Sequence, residues 1–188
     1  MADLAIMLVN KLRGRDPYAP LTGPEHAPVP PLDARAASIE ERRLRTLEPS
    51  TRKFVESILT WARASGVPAV LGETHRSMTE QVRAEEEGRS AIREGQTGWH
   101  QYGRAFHLVI LAPGTKLLNE EAYRKVGAEV RRRGGEWLGD KTLVTTRGQV
   151  QDLAHFEYHP GLKLSSFRGT ALAQRELAAA ERRAARYG

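Results

Sequence analysis

The residues whose types and spacing could do chemistry lie in two short stretches, Gly98-Trp99-His100-Gln101-Tyr102-Gly103-Arg104-Ala105-Phe106-His107 and Asp152-Leu153-Ala154-His155-Phe156-Glu157. His100 and His107 stand seven residues apart on either side of a glycine, and His155 follows with an aspartate three residues before it. Zinc favours imidazole nitrogens, and a catalytic site uses three protein ligands while leaving the fourth position to water. His100, His107 and His155 can fill that role, and Asp152 is near enough in sequence to act as general base without being a ligand. The chain has no cysteine, so histidine and carboxylate are the only strong ligands it offers.

Several elements must position these groups. Gly103 allows a sharp turn after His100, and Ala105 to Leu111 reads as a strand with Ala105, His107, Val109 and Leu111 on one face. Asp152 to Tyr158 reads as a last strand, with Leu153, His155 and Glu157 on one face, Ala154, Phe156 and Tyr158 on the other, and Asp152 at its entry. Glu157 shares the face of His155, so its carboxylate can fix the tautomer of a ligand imidazole and is the reserve candidate for the base. His159-Pro160-Gly161 ends the strand, and His159 reads as a surface turn residue.

Upstream, Ala36 to Leu47 is helical in composition, and Pro49-Ser50-Thr51 opens a helix whose Phe54, Val55, Ile58, Leu59 and Ala62 recur at helical spacing as far as Gly66. Val67 to Leu71 follows as a short strand, Ser77 to Glu87 as a helix, and Gly88 to Thr97 as a polar loop. Asn119 to Arg133 begins with acids and ends with bases, as the helix dipole prefers. Thr142 to Thr146 suits a short strand or a loop, and Ala171 to Arg186 a C-terminal helix with a thin apolar face, docked or facing a partner.

At 188 residues the chain is long enough for one catalytic domain with extensions. We divide it into residues 1–35, an N-terminal helix and a Pro-rich linker; 36–168, the catalytic domain; and 169–188, the C-terminal helix. The apolar run Leu4 to Val9 is too short to span a bilayer and lacks a basic segment before it, so the expectation is a chain made in the cytoplasm without a signal peptide or membrane span. The formal charge of +6 rests mainly on arginine and suits the polyanionic wall of a bacterium. Nucleic acid is not the expected partner, because the runs at Arg131–Arg133 and Arg182-Arg183 lack the interleaved aromatics of a single-strand platform.

Three blocks, Arg76…Gln81, His100-x-x-Gly103-Arg104-Ala105-x-His107 and Asp152-x-x-His155-x-Glu157, together resemble the M15 zinc metallopeptidases, the D-alanyl-D-alanine carboxypeptidases and phage L-alanyl-D-glutamate endopeptidases, over about residues 45 to 165. The family's first zinc motif is Ser-x-His-x-x-Gly-x-Ala-x-Asp, its His and Asp being ligands, and its second is Asp/Glu-x-x-His with the carboxylate as base. Here Gly98 stands in place of the serine and His107 in place of the aspartate ligand. The resemblance implies an α+β fold of the hedgehog/D,D-peptidase kind, a small antiparallel sheet carrying the metal site and flanked by helices. It implies a zinc cofactor and hydrolysis of an amide bond in the peptidoglycan stem peptide, either L-Ala-D-Glu or D-Ala-D-Ala. Arg76 and Gln81 resemble its Arg-Ser-x-x-x-Gln block, whose arginine steadies the developing oxyanion or holds a substrate carboxylate; an ion pair of Arg76 with Glu80 is the structural alternative. His75 stands where the family often has tyrosine, and Trp137 falls in a segment that walls the family's pocket and is expected to pack.

His107 leaves two readings open. Three histidines with an open fourth position make a sound zinc site, more positive than one with a carboxylate ligand. Alternatively, His107 is a hydrogen-bonded strand histidine in a degenerate member that binds the wall or serves as a structural component of a phage tail or similar particle. The expected setting is a phage endolysin or tail-associated lysin acting on the wall after release or on a particle, with the N- or C-terminal helix contacting a phage or particle protein.

Overall fold

The computed structural model describes residue 29 and residues 31–92, 96–111, 117–145 and 148–188. The expected N-terminal helix and almost all of the Pro-rich linker lie outside the described residues. The helices are α1 (Ala34–Thr46), α2 (Pro49–Ala64), α3 (Met78–Glu86), α4 (Glu120–Arg132), α5 (Leu164–Phe167) and α6 (Ala171–Tyr187). The strands are β1 (Val70–Leu71), β2 (Ala105–Val109), β3 (Glu136–Trp137), β4 (Leu143–Thr145), β5 (Gly148–Val150) and β6 (His155–Glu157).

Local chemistry sets the helix ends. Pro49 occupies the first turn of α2, where its missing N–H costs nothing, and the Glu48 carboxylate accepts from the Ser50 and Thr51 N–H groups. Ser77 and Glu80 form a reciprocal capping box at the start of α3. Asn119 caps α4 by accepting from the Ala122 N–H, and that helix runs from Glu120 and Glu121 to Arg131 and Arg132.

Four strands form one antiparallel sheet in the order β1-β2-β6-β3, and β4 and β5 form a separate hairpin. Pairing of β2 with β6 sets Phe106 opposite Phe156 and His107 opposite His155. Because strand side chains alternate, one face of the sheet carries the two histidines and the other the phenylalanines. Phe106 and Phe156 stack at 5.6 Å, Phe54 stacks on Tyr158 at 4.0 Å, and Trp137 closes the row beside Phe156. Val55, Ile58, Leu59 and Ala62 from α2 and Tyr123, Val126 and Val130 from α4 complete this core with them. The molecule is therefore α+β, with helices flanking a small antiparallel sheet.

The strands are shorter than the sequence pattern predicts. β2 ends at Val109, with Leu111 making only a single bridge to Leu118, and β6 covers His155–Glu157 rather than Asp152 to Tyr158. β3, unforeseen, pairs Trp137 with Phe156, and Leu143–Thr145 proves to be one arm of the hairpin. The C-terminal helix is docked: α6 lies along α1, buries Ala173 and Ala180, and its Glu176 receives both Nε and Nη2 of Arg104 at 2.8 Å. Leu172 on this helix is exposed.

Candidate metal centre

Three separate pieces of chain bring the histidines together. His107 and His155 are cross-strand partners on one face of the sheet, which sets their rings side by side. His100 comes from the turn before β2, closed by Gly103 at φ +70°. A side chain at Gly103 would meet the backbone of Glu48 at 2.9 Å, and the Glu48 N–H donates to the Gly103 carbonyl at the same distance, so glycine is required by conformation and by close approach. The ring centroids of the three imidazoles lie 5.0 to 5.2 Å apart, and each ring offers a nitrogen within 4.8 Å of the others.

The outer nitrogens orient the rings. The Nδ1–H of His100 donates to the Thr74 carbonyl at 2.5 Å, leaving Nε2 buried without a protein partner among the described residues. The Nε2–H of His155 donates to Glu157 Oε1 at 2.9 Å, which turns Nδ1 toward His107 Nε2, 3.1 Å away. Asp152 Oδ2 lies 3.6 Å from His107 Nε2 and 4.0 Å from His155 Nδ1, while its Oδ1 accepts from the Ala154 N–H. Asp152 thus faces the point on which two imidazoles converge.

Electrostatics favour the neutral form of two of the three imidazoles. Burial pushes the His107 imidazolium down to about 4 against the pull of Asp152, and burial together with Arg76 holds His100 well below the usual range. His155 runs the other way: burial opposes its charge, but the bond to Glu157 outweighs it and raises the value. Glu157 in turn is held down to about 2, burial being overcome by its bonds from His155 and His159. Three imidazoles, carboxylates at Glu73, Asp152 and Glu157, and one guanidinium are thus gathered together, each ring with a nitrogen facing the other two. This donor set fits a divalent cation of the zinc type: nitrogen ligands, oriented tautomers and a buried polar atom lacking a partner.

The other expected residues are placed as follows. Arg76 has a side chain only 5% exposed and does not pair with Glu80, which is committed to the capping box. Its Nε and Nη2 grip Glu73 at 2.7 Å each, and Nη1 donates to Gln81 Oε1 at 3.2 Å. Gln81 is buried, and its amide also donates to Ser90 Oγ and to the Ile92 carbonyl. Its side-chain oxygen thus helps hold Arg76, and its amide group is bonded within the protein. Trp137 is buried, its Nε1–H donating to the Leu153 carbonyl at 2.8 Å, and so braces the segment that carries Asp152.

His159 departs from its expected place. Rather than a surface turn residue, it has a side chain only 10% exposed, stacked on Trp99 at 4.3 Å. Its Nε2–H donates to Glu157 Oε2 at 3.0 Å and its Nδ1–H to the Leu162 carbonyl at 3.1 Å. Glu73 and Thr74, which hold Arg76 and His100, were not singled out from sequence.

No protein-family model matches the chain, and no curated protein does. Among solved structures, the crystal structure of Serratia marcescens L-Ala D-Glu endopeptidase ChiX matches with a TM-score of 0.50 and 26% identity, covering 64% of this chain and 86% of that one. Over about two thirds of its length, then, this chain is similar in fold to that endopeptidase, and within the fold it carries a histidine cluster able to hold a metal ion.

Proposed function

We propose that the chain is a zinc-dependent peptidase hydrolysing an amide bond of the peptidoglycan stem peptide, with L-Ala-D-Glu the preferred bond. The observation that carries this reading is the convergence of His100, His107 and His155 beside Asp152, in a fold similar to that of an L-Ala-D-Glu endopeptidase.

His100 through Nε2, His107 through Nε2 and His155 through Nδ1 would hold the ion. Bound there, zinc supplies Lewis-acid polarisation of the scissile carbonyl and a nucleophilic water at neutral pH. Burial keeps His107 neutral and able to donate its lone pair throughout the physiological range. The N–H of Ala154 anchors Asp152 Oδ1, and Oδ2 remains to accept the proton of the attacking water and deliver it to the leaving amine. Asp152 has a side chain 25% exposed, against 8% for His107, so the base is accessible from solvent while the ligand behind it is not.

A formal charge of +6 supports a setting at the anionic wall, reached by release from a lysing cell or on a phage particle. No described helix is long and apolar enough to cross a membrane. The test is a synthetic stem peptide containing both L-Ala-D-Glu and D-Ala-D-Ala, incubated with zinc-replete protein and read by mass spectrometry. Cleavage at L-Ala-D-Glu is expected; cleavage at D-Ala-D-Ala alone would revise the specificity, and an intact peptide would contradict the reading.

A further inference from the structure

Two of the three imidazoles are held from behind by oxygen, His100 by the Thr74 carbonyl and His155 by Glu157. The third has an outer nitrogen with no hydrogen bond: His107 Nδ1 is buried and unpartnered among the described residues. Glu73 Oε2 stands 3.6 Å from it, just beyond bonding distance. This proximity is built into the backbone. Past the end of β1, the Gly72 N–H donates to the His107 carbonyl at 2.8 Å and the His107 N–H donates to the Glu73 carbonyl at 2.7 Å. Glu73 is therefore in register with His107 whatever its side chain does. The side chain is fixed in turn by both forks of Arg76, and Arg76 by Gln81.

We propose that Glu73 is the positioning carboxylate of His107, accepting its Nδ1–H when Nε2 ligates the ion, and that Arg76 and Gln81 serve chiefly to hold Glu73 there. This rests on the zinc reading above. A carboxylate behind a ligand imidazole fixes its tautomer and raises its basicity. Arg76, bonded to Glu73 through Nε and Nη2, is thereby a positioning residue rather than an open fork for substrate.

The experiment is zinc affinity by competition with a chromophoric chelator, on the full chain, with metal-free unfolding midpoints measured alongside. Glu73→Gln is expected to weaken zinc by about 10- to 100-fold, the range found for outer carboxylates, and Glu157→Gln provides the yardstick for an established imidazole–carboxylate bond. In a His107→Asp background there is no second ring nitrogen to hold, so Glu73→Gln should then change affinity by less than about twofold, and the difference between the two backgrounds isolates the coupling. Equal affinity of wild type and Glu73→Gln would overturn the proposal and leave the zinc reading standing. Failure of the wild type to bind zinc would overturn both. Should Glu73→Gln fail to fold, imidazole 15N spectra of the zinc-loaded wild type decide: a proton on His107 Nδ1 supports the proposal, and metal on that nitrogen refutes it.

Discussion

Gly127 in the middle of α4 sets two local rules against each other. Alanine is preferred to glycine inside a helix by about 1 kcal/mol, so Gly127→Ala would stabilise the chain if propensity decided. Packing says otherwise, because a Cβ built there would lie 2.3 Å from Trp137 Cε3 and 2.4 Å from Cδ2, more than 1 Å inside ordinary contact. The indole cannot withdraw cheaply. Its N–H is bonded to the Leu153 carbonyl at 2.8 Å, one face lies against Phe156, and the Arg131 guanidinium sits 5.3 Å from its centre. Overpacking a core of this kind costs about 1–3 kcal/mol, and so large an overlap belongs at the upper end. The net expectation is a loss of about 2 kcal/mol, which for a chain of this size lowers the thermal midpoint by roughly 4–8 °C. Thermal and urea unfolding of the metal-free protein would measure it. An unchanged or raised midpoint would refute the claim that close approach of α4 to Trp137 braces the Asp152 segment.

Two further outcomes follow from the same geometry. Between pH 6.5 and about 4 the unfolded chain protonates His107 while the folded chain does not, so metal-free stability falls with pH there by about 3 kcal/mol from this residue, with His100 adding in the same direction. The raised His155 and His159 contribute stability that is complete below pH 6.5 and lost as pH rises through their folded values. Denaturation midpoints should therefore peak near neutrality, with His107→Ala flattening the acid limb; a midpoint rising steadily from pH 5 to 9 would contradict this. Glu176→Ala leaves Arg104 largely buried without its bidentate partner and is expected to cost about 2 kcal/mol in urea unfolding, whereas a change within about 0.5 kcal/mol would place α6 outside the cooperative unit.

The histidine cluster was legible because it follows local rules. Alternation in β2 and β6 put His107 and His155 on defined faces, and the glycine turn implied that His100 could fold back toward them. The core face of α2 was legible for the same reason, by helical spacing. What escaped depends on partners distant in sequence. Nothing in the spacing around Glu73 marks it, because its role comes from pairing with His107, thirty-four residues on. Arg76 took Glu73 rather than Glu80 because Ser77 already engages Glu80 in the helix cap. His159 was read as a turn residue because its cover, the Trp99 ring, comes from the loop before β2. β3 is two residues long, too short for any periodicity to announce it.

The central claim, that the histidine cluster with Asp152 is the working centre of a stem-peptide hydrolase, is most directly tested on intact peptidoglycan. Purified sacculi would be incubated with zinc-loaded protein and with a zinc-loaded Asp152→Ala variant, and the soluble fragments analysed by mass spectrometry. The account predicts fragments ending in L-alanine, new amino termini on D-glutamate, and loss of both in the variant. Folded, zinc-replete wild type that releases nothing, or a variant that releases the same fragments, would contradict it.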